Sequence, residues 1–139
     1  MKVKRYLEQP RKIDRMIENK LYEKEHWKSV AFGTAPQSSG ERVQSSGSKQ
    51  KMADAVSRYV DIEAEIDDFI DDLVDTKKEI IETIEKLPTA EYDLLHMVYI
   101  QNRSLRDVAY AYGKTYSWAT TIHGRALQHL QKILDEREK

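Results

Sequence analysis

Tyr116, Ser117, Trp118, Thr120 and Thr121 open one helical pattern and hold the side chains best suited to chemistry. Ser and Thr hydroxyls both donate and accept hydrogen bonds, and the two aromatics pair a flat apolar body with one polar group. None of them is a strong nucleophile without an activating neighbour, and no such set is present. The chain has no cysteine, no Ser/His/Asp arrangement, no Gly-rich phosphate loop and no H-E-x-x-H. His123 and His129 lie six apart on different helix faces, so they do not read as a metal pair. His26 and His96 are isolated. The expected chemistry is recognition, with no enzyme activity, no cofactor and no metal.

A chain that stops, turns and restarts must position these residues. Ser104 begins one helical pattern, and Asp107 three residues on completes a capping box. Leu105, Val108, Ala109 and Tyr112 are its inner face, and Gly113 supplies the left-handed residue that ends it. Tyr110 and Tyr112 both read as packing residues. Thr115 then caps a last helix whose inner face is Ala119, Ile122, Ala126, Leu127, Leu130, Ile133 and Leu134. A further helix precedes the pair, with Thr89 as its expected cap and Leu94, Leu95 and Val98 inward. Two helices meeting steeply at a glycine form a helix-turn-helix, and Ala109 is small where the last helix crosses. In such a motif the second helix of the pair lies in the major groove, with its N-terminal side chains at base edges.

From Leu87-Pro88 to the closing Ala126-Leu127-x-x-Leu130, these residues resemble the fourth conserved region of bacterial sigma factors, which binds the promoter's −35 element. The chain as a whole resembles a family of phage and prophage transcriptional regulators of Gram-positive bacteria, the ArpU-like late regulators. "GERVQSSGS" followed by "KMADAV", and the closing "IHGRALQ", carry that likeness. The resemblance implies that Tyr116, Ser117, Trp118, Thr120 and Thr121 contact bases and backbone of double-stranded DNA. Arg125, Lys114 and Arg106 are suited to phosphate. Trp118 also has a packing reading, against the first helix of the C-terminal unit. Lys114 departs from the family, which usually has an aliphatic residue after the turn glycine. No counterpart of the promoter-melting region is present, so the resemblance implies a DNA-binding regulator rather than a complete sigma factor. With about four or five phosphate contacts, one module should bind weakly and with strong salt dependence. The reading therefore expects a second copy, by dimerisation, or help from RNA polymerase.

Composition sets the rest. Apolar residues make up 40 % and charged residues 34 %, with five Gly and three Pro. That balance favours long exposed helices, so the expected fold is all-α. No stretch approaches the roughly 18 continuous apolar residues of a membrane span, and the first twenty residues lack the apolar core of a signal peptide. The expected location is the cytoplasm. Residues 3–31 read as a helix with Leu7, Ile13, Ile17 and Leu21 as its stripe, kinked or restarted at Pro10. Residues 32–50 are Gly/Ser-rich, repeat "QSSG", and read as a flexible linker. Residues 51–87 hold a heptad seam through Met52, Val56, Tyr59, Glu63, Ile66, Ile70, Leu73, Lys77, Ile80, Ile84 and Leu87. Ile62, Phe69, Val74 and Ile81 widen that stripe beyond one neighbour.

Residues 1–31 carry nine Lys/Arg against five Asp/Glu, residues 61–93 three against thirteen, and residues 103–132 five against one. The expected organisation is an antiparallel, coiled-coil-like helical hairpin over 1–87, basic helix against acidic helix, followed by a three-helix helix-turn-helix domain over 88–139. The acidic run from Asp61 to Asp75 lacks the spacing of a calcium loop and reads as a solvated face. Two other readings suit the same architecture. One is a DNA-packaging adaptor resembling a small terminase subunit. The other is a helical interaction protein that does not bind DNA.

Overall fold

The computed structural model describes residues 1–33 and 46–139, with 46–48 as backbone only. Every regular element among them is helical: α1 (Val3–Leu7), α2 (Gln9–Phe32), α3 (Ser46–Ile84), α4 (Thr89–Leu95), α5 (Leu105–Tyr112) and α6 (Tyr116–Arg137). A single π-helical turn, His96–Ile100, extends α4. Most of the expected linker lies outside the described residues. Its last five, 46–50, belong to α3, so composition placed the helix start too late.

The chain restarts at Gln9, and Pro10 is the second residue of α2. There its missing N–H would have met the Tyr6 carbonyl. The Gln9 side chain donates to that carbonyl instead, at 2.8 Å, so no acceptor is orphaned at the break.

The chain forms two compact units. One is Asp14–Asp72, and the other joins Met1–Ile13 to Leu73–Lys139. In the first, α2 and α3 run antiparallel. Lys20 Nζ lies 3.1 Å from Glu65, Lys24 Nζ lies 4.0 Å from Glu63, and the Phe32 ring stands edge-on to Tyr59 at 5.7 Å. Later positions on α2 thus meet earlier positions on α3. These ion pairs are partly exposed, worth about 0–1 kcal/mol each. The pair is held by buried Ala31, Ala55, Ile62 and Ile66.

The packed seam keeps Tyr59, Ile66, Leu73, Ile80, Ile84 and Leu87 of the expected one and departs from it at Met52, Val56, Glu63 and Ile70. Ala55, Tyr59, Ile62, Ile66 and Phe69 face inward, while Met52, Val56 and Ile70 are 40 %, 38 % and 44 % exposed. Both sets repeat every 3.5 residues and differ mainly by one position. The structure selects the set that excludes a carboxylate, turning Ile62 inward and leaving Glu63 beside Lys24. On α2, Leu21 is likewise exposed, and the Lys20 stem takes the covered position.

The second unit has the larger core. Leu7, Ile80, Ile84, Leu94, Leu95, Val108 and Leu130 are fully buried within it. At about 1.5–3 kcal/mol for each large side chain, this core dominates the unit's stability. Around it α1, α4 and α5 pack on α6. The Tyr6 hydroxyl donates to the Glu79 carboxylate, and Arg137 donates to Glu79 and to Thr83 Oγ1, both at 2.7 Å. Burial and the Glu79 charge push the Tyr6 pKa up to about 12.

Thr89 is the first residue of α4 and not its cap. Pro88 takes the cap position, and its carbonyl accepts from Tyr92 N at 2.9 Å. At the far end Asn102 adopts a left-handed φ of 58°, and Arg103 N reaches back to the Met97 carbonyl at 2.9 Å. Arg11 holds this end. Its Nη2 donates to the Val98 carbonyl at 2.6 Å, its Nε to Asn102 at 3.2 Å, and its guanidinium lies 5.2 Å over the Tyr99 ring.

Candidate nucleic-acid interface

The corner between α5 and α6 is built from its caps. Ser104 Oγ accepts from Asp107 N at 3.1 Å, and the Asp107 carboxylate accepts from Ser104 N at 3.2 Å. This is the expected capping box. Gly113 ends α5 at φ 63°, ψ 34°, and Lys114 N closes the turn on the Ala109 carbonyl at 2.8 Å. Thr115 Oγ1 then accepts from Trp118 N at 3.0 Å and starts α6. Ala109 and Ala119, both buried, keep the two helices close.

Most of the expected recognition residues share one exposed surface. Ser117, Thr121 and Arg125 recur every four residues, so they form one ridge of α6, and all are exposed. Thr120 and Tyr116 flank that ridge, and Tyr116 is 47 % exposed. Lys114 is exposed at the turn. Arg106, on α5, lays its guanidinium 4.7 Å over the Tyr116 ring, which joins the two sides of the corner by a cation–π contact.

The threonine hydroxyls are partly committed. Thr120 and Thr121 Oγ1 both donate to the Ser117 carbonyl, at 2.8 and 3.0 Å. With the O–H turned inward, a threonine offers a partner its lone pairs and its methyl group. Those features match an amino group or a thymine methyl in the major groove.

Trp118 stands apart from this ridge. It is half-buried against the core, its ring centre 5.2 Å from that of Tyr112. Tyr112 in turn donates to Asp93 on α4, and desolvation with that carboxylate pushes its pKa up to about 12. Trp118 thus ties α6 to α5 and, through Tyr112, to α4.

Tyr110 does not pack as expected, being 90 % exposed. It follows Arg106 by one turn of α5, so Arg106, Tyr110 and Tyr116 form an exposed basic and aromatic group. The i, i+4 spacing of Arg106 and Tyr110 was the available signal. Lys4 is a second residue that the fold, and not its spacing, brings toward α6. Val3 N donates to Gln131 Oε1 at 2.9 Å, which docks α1 along α6. Burial first, and then the nearby Lys4 charge, lower the pKa of His123 on α6. No spacing rule in the sequence brings residue 4 beside residue 123.

The histidines have protein partners. Tyr99 Oη lies 2.8 Å from His123 Nε2. His129 Nδ1 lies 2.6 Å from the buried Glu91 carboxylate. Among the described residues no group of three or more His, Asp or Glu side chains is arranged to hold a metal ion. No described helix is long and apolar enough to cross a membrane.

Comparison with known proteins finds one family match, covering residues 33–131. No curated protein and no solved structure matches the chain. The match takes in all of α3, α4 and α5, together with α6 up to Gln131. On that extent, the chain belongs to the family described as "Protein of unknown function (DUF1492)".

Proposed function

We propose that this chain is a sequence-specific DNA-binding transcriptional regulator of phage or prophage origin, reading the major groove with the start of α6. The observation that carries this reading is the corner itself. A left-handed glycine and a threonine cap join two closely crossing helices, leaving Ser117, Thr120, Thr121 and Arg125 exposed on one surface. That is the geometry by which a recognition helix meets base edges. Arg106, Lys114 and Arg125 supply phosphate contacts around it, and Tyr116 positions Arg106. Trp118 contributes by holding the corner rigid.

The cation number is modest. The expected affinity of one module is therefore low, with RNA polymerase or a second copy supplying the remainder. The test is selection of bound sequences from a random DNA pool, with and without RNA polymerase, followed by affinity over a salt series. Enrichment of a short motif whose binding weakens in Arg125→Ala supports the reading. Absence of enrichment and of salt-dependent binding in both arms returns the chain to the class of helical interaction proteins.

A further inference from the structure

Residues 1–7 carry Lys2, Lys4 and Arg5 and no Asp or Glu. Val3, Tyr6 and Leu7 recur at i, i+3 and i+4 and turn one side of α1 onto the core. Lys2, Lys4 and Arg5 are left exposed on the other side. Two hydrogen bonds fix this short helix on α6. Gln131 Oε1 accepts from Val3 N at 2.9 Å, and Gln131 Nε2 donates to the Met1 carbonyl at 3.1 Å. The ion pairs of this unit take Met1, Arg137 and, when protonated, His129 as their cations. Among the described residues Lys2, Lys4 and Arg5 form none. They line a groove with Leu127, Gln131 and Asp135, and the Asp135 carboxylate accepts from Gln131 at 3.0 Å.

This basic edge continues the candidate interface. Tyr116, Thr120, His123 and Leu127 recur at i, i+4, i+7 and i+11, so they form one flank of α6 beside the Ser117–Thr121–Arg125 ridge. Arg106 stands over Tyr116 at one end of that flank, at 4.7 Å. Lys4 shares the groove with Leu127 at the other end, and its charge reaches His123. Tyr116 and His123 are about 10 Å apart along the helix axis. Arg125 closes the opposite side of the ridge. A helix seated in a groove meets one phosphate wall on each side, and each side here has a cation.

We propose that Lys2, Lys4 and Arg5 form a basic arm that holds the phosphate backbone of the duplex beside the groove entered by α6. The inference rests on the DNA-binding reading and extends it. Phosphate binding draws on cations that have no partner inside the fold, and a backbone already fixed leaves only side-chain freedom to lose. With Arg106, Lys114 and Arg125, the arm brings the phosphate contacts of one copy to about six. It reads no base edge, so it strengthens binding to every sequence.

The test uses the full chain, with duplexes carrying the selected sequence or a scrambled one. Lys2→Gln, Lys4→Gln and Arg5→Gln are combined as the arm variant. Lys77→Gln, Lys78→Gln and Lys86→Gln on α3 form a control of equal charge. The arm variant is expected to weaken binding to both duplexes by the same factor. Its slope of log affinity against log salt is expected to fall by about 2–3, roughly 0.9 for each contact, while the control keeps the wild-type slope. The chain has no cysteine, so Lys2→Cys can carry a single iron chelate, which is expected to cut the duplex next to the enriched motif. An unchanged slope in the arm variant, an equal fall in the control, or no cleavage overturns the arm and leaves the DNA-binding reading standing. An arm variant that binds DNA normally but loses its response to RNA polymerase makes this edge a protein contact and also overturns the arm. A wild type without salt-dependent binding overturns both.

Discussion

The Arg106 guanidinium lies 4.7 Å above the ring of Tyr116, so a cation on α5 is held in place by the first residue of α6. If this pair faces phosphate, the two residues act together. Arg106→Ala is expected to weaken DNA binding at all sequences and to lower the slope of log affinity against log salt by about 0.9. Tyr116→Phe keeps the ring and should leave that slope unchanged. Fluorescence anisotropy over a salt series measures both, and an unchanged slope in Arg106→Ala removes this residue from the interface.

Thr121 tests the reading of the groove. Its hydroxyl donates to the Ser117 carbonyl inside α6, so Thr121→Val leaves the fold intact while removing the outward lone pairs. The expected loss of DNA affinity is about 0.5–1.5 kcal/mol, the net contribution of one hydrogen bond. Melting temperature checks the fold, and titration against the selected sequence checks the affinity. Equal affinity for wild type and variant leaves only the methyl group to read a base.

Gly124 sits on the same surface, and a Cβ there would meet nothing within 4 Å. Gly124→Ala should therefore stabilise α6 by about 0.8–1.0 kcal/mol, because glycine is a poor helix former. If the DNA backbone approaches this bare turn, the same change weakens binding. Opposite signs in a urea titration and a DNA titration are the expected pattern. A gain in both places the duplex elsewhere.

Gly113 is different, because space is open around it too but its backbone is left-handed at φ 63°. Gly113→Ala is expected to cost about 1–2 kcal/mol, the steric penalty of that conformation for a side chain. Asn tolerates the region better, so Gly113→Asn should cost less. Urea midpoints at constant slope measure the difference. Equal midpoints for the three chains would mean that the corner relaxes freely.

Two groups of side chains set opposite pH limits. The His123 pKa is lowered by burial and by Lys4, so the folded state favours its neutral form. Its contribution is present above the unfolded value of 6.5 and is lost as pH falls through the lower folded value. Tyr6 and Tyr112 are raised from 10.0 to about 12, so their contribution is present below 10 and is lost between 10 and 12. Thermal melts from pH 5 to 11 should fall at both ends, and His123→Gln should flatten the acid limb. An acid limb unchanged in that variant assigns it to carboxylates instead.

The sequence by itself determined the elements that depend on near neighbours. Helical periodicity, the Ser104–Asp107 box, the left-handed Gly113 and the Thr115 cap all follow from residues within one turn of each other. Their geometry is local and needs no partner. The all-α class followed from the same periodicities, and the acidic and basic blocks indicated how the long helices would pair.

Tertiary structure decided what depends on who covers which face. Two heptad registers one residue apart were equally periodic on α3, and only packing against α2 chose Ala55, Ile62 and Phe69 over Val56, Glu63 and Ile70. Trp118 packs on Tyr112, and Tyr110, read as a packing residue, is exposed, for a similar reason. The Tyr112–Asp93 bond leaves a flat surface for the indole, while nothing in the unit reaches Tyr110. Lys4 beside His123 required the chain to bring α1 back to α6 over more than a hundred residues. Periodicity reports that a side chain is apolar and which way its helix turns, but burial is a property of two surfaces, and the second one is not written beside the first.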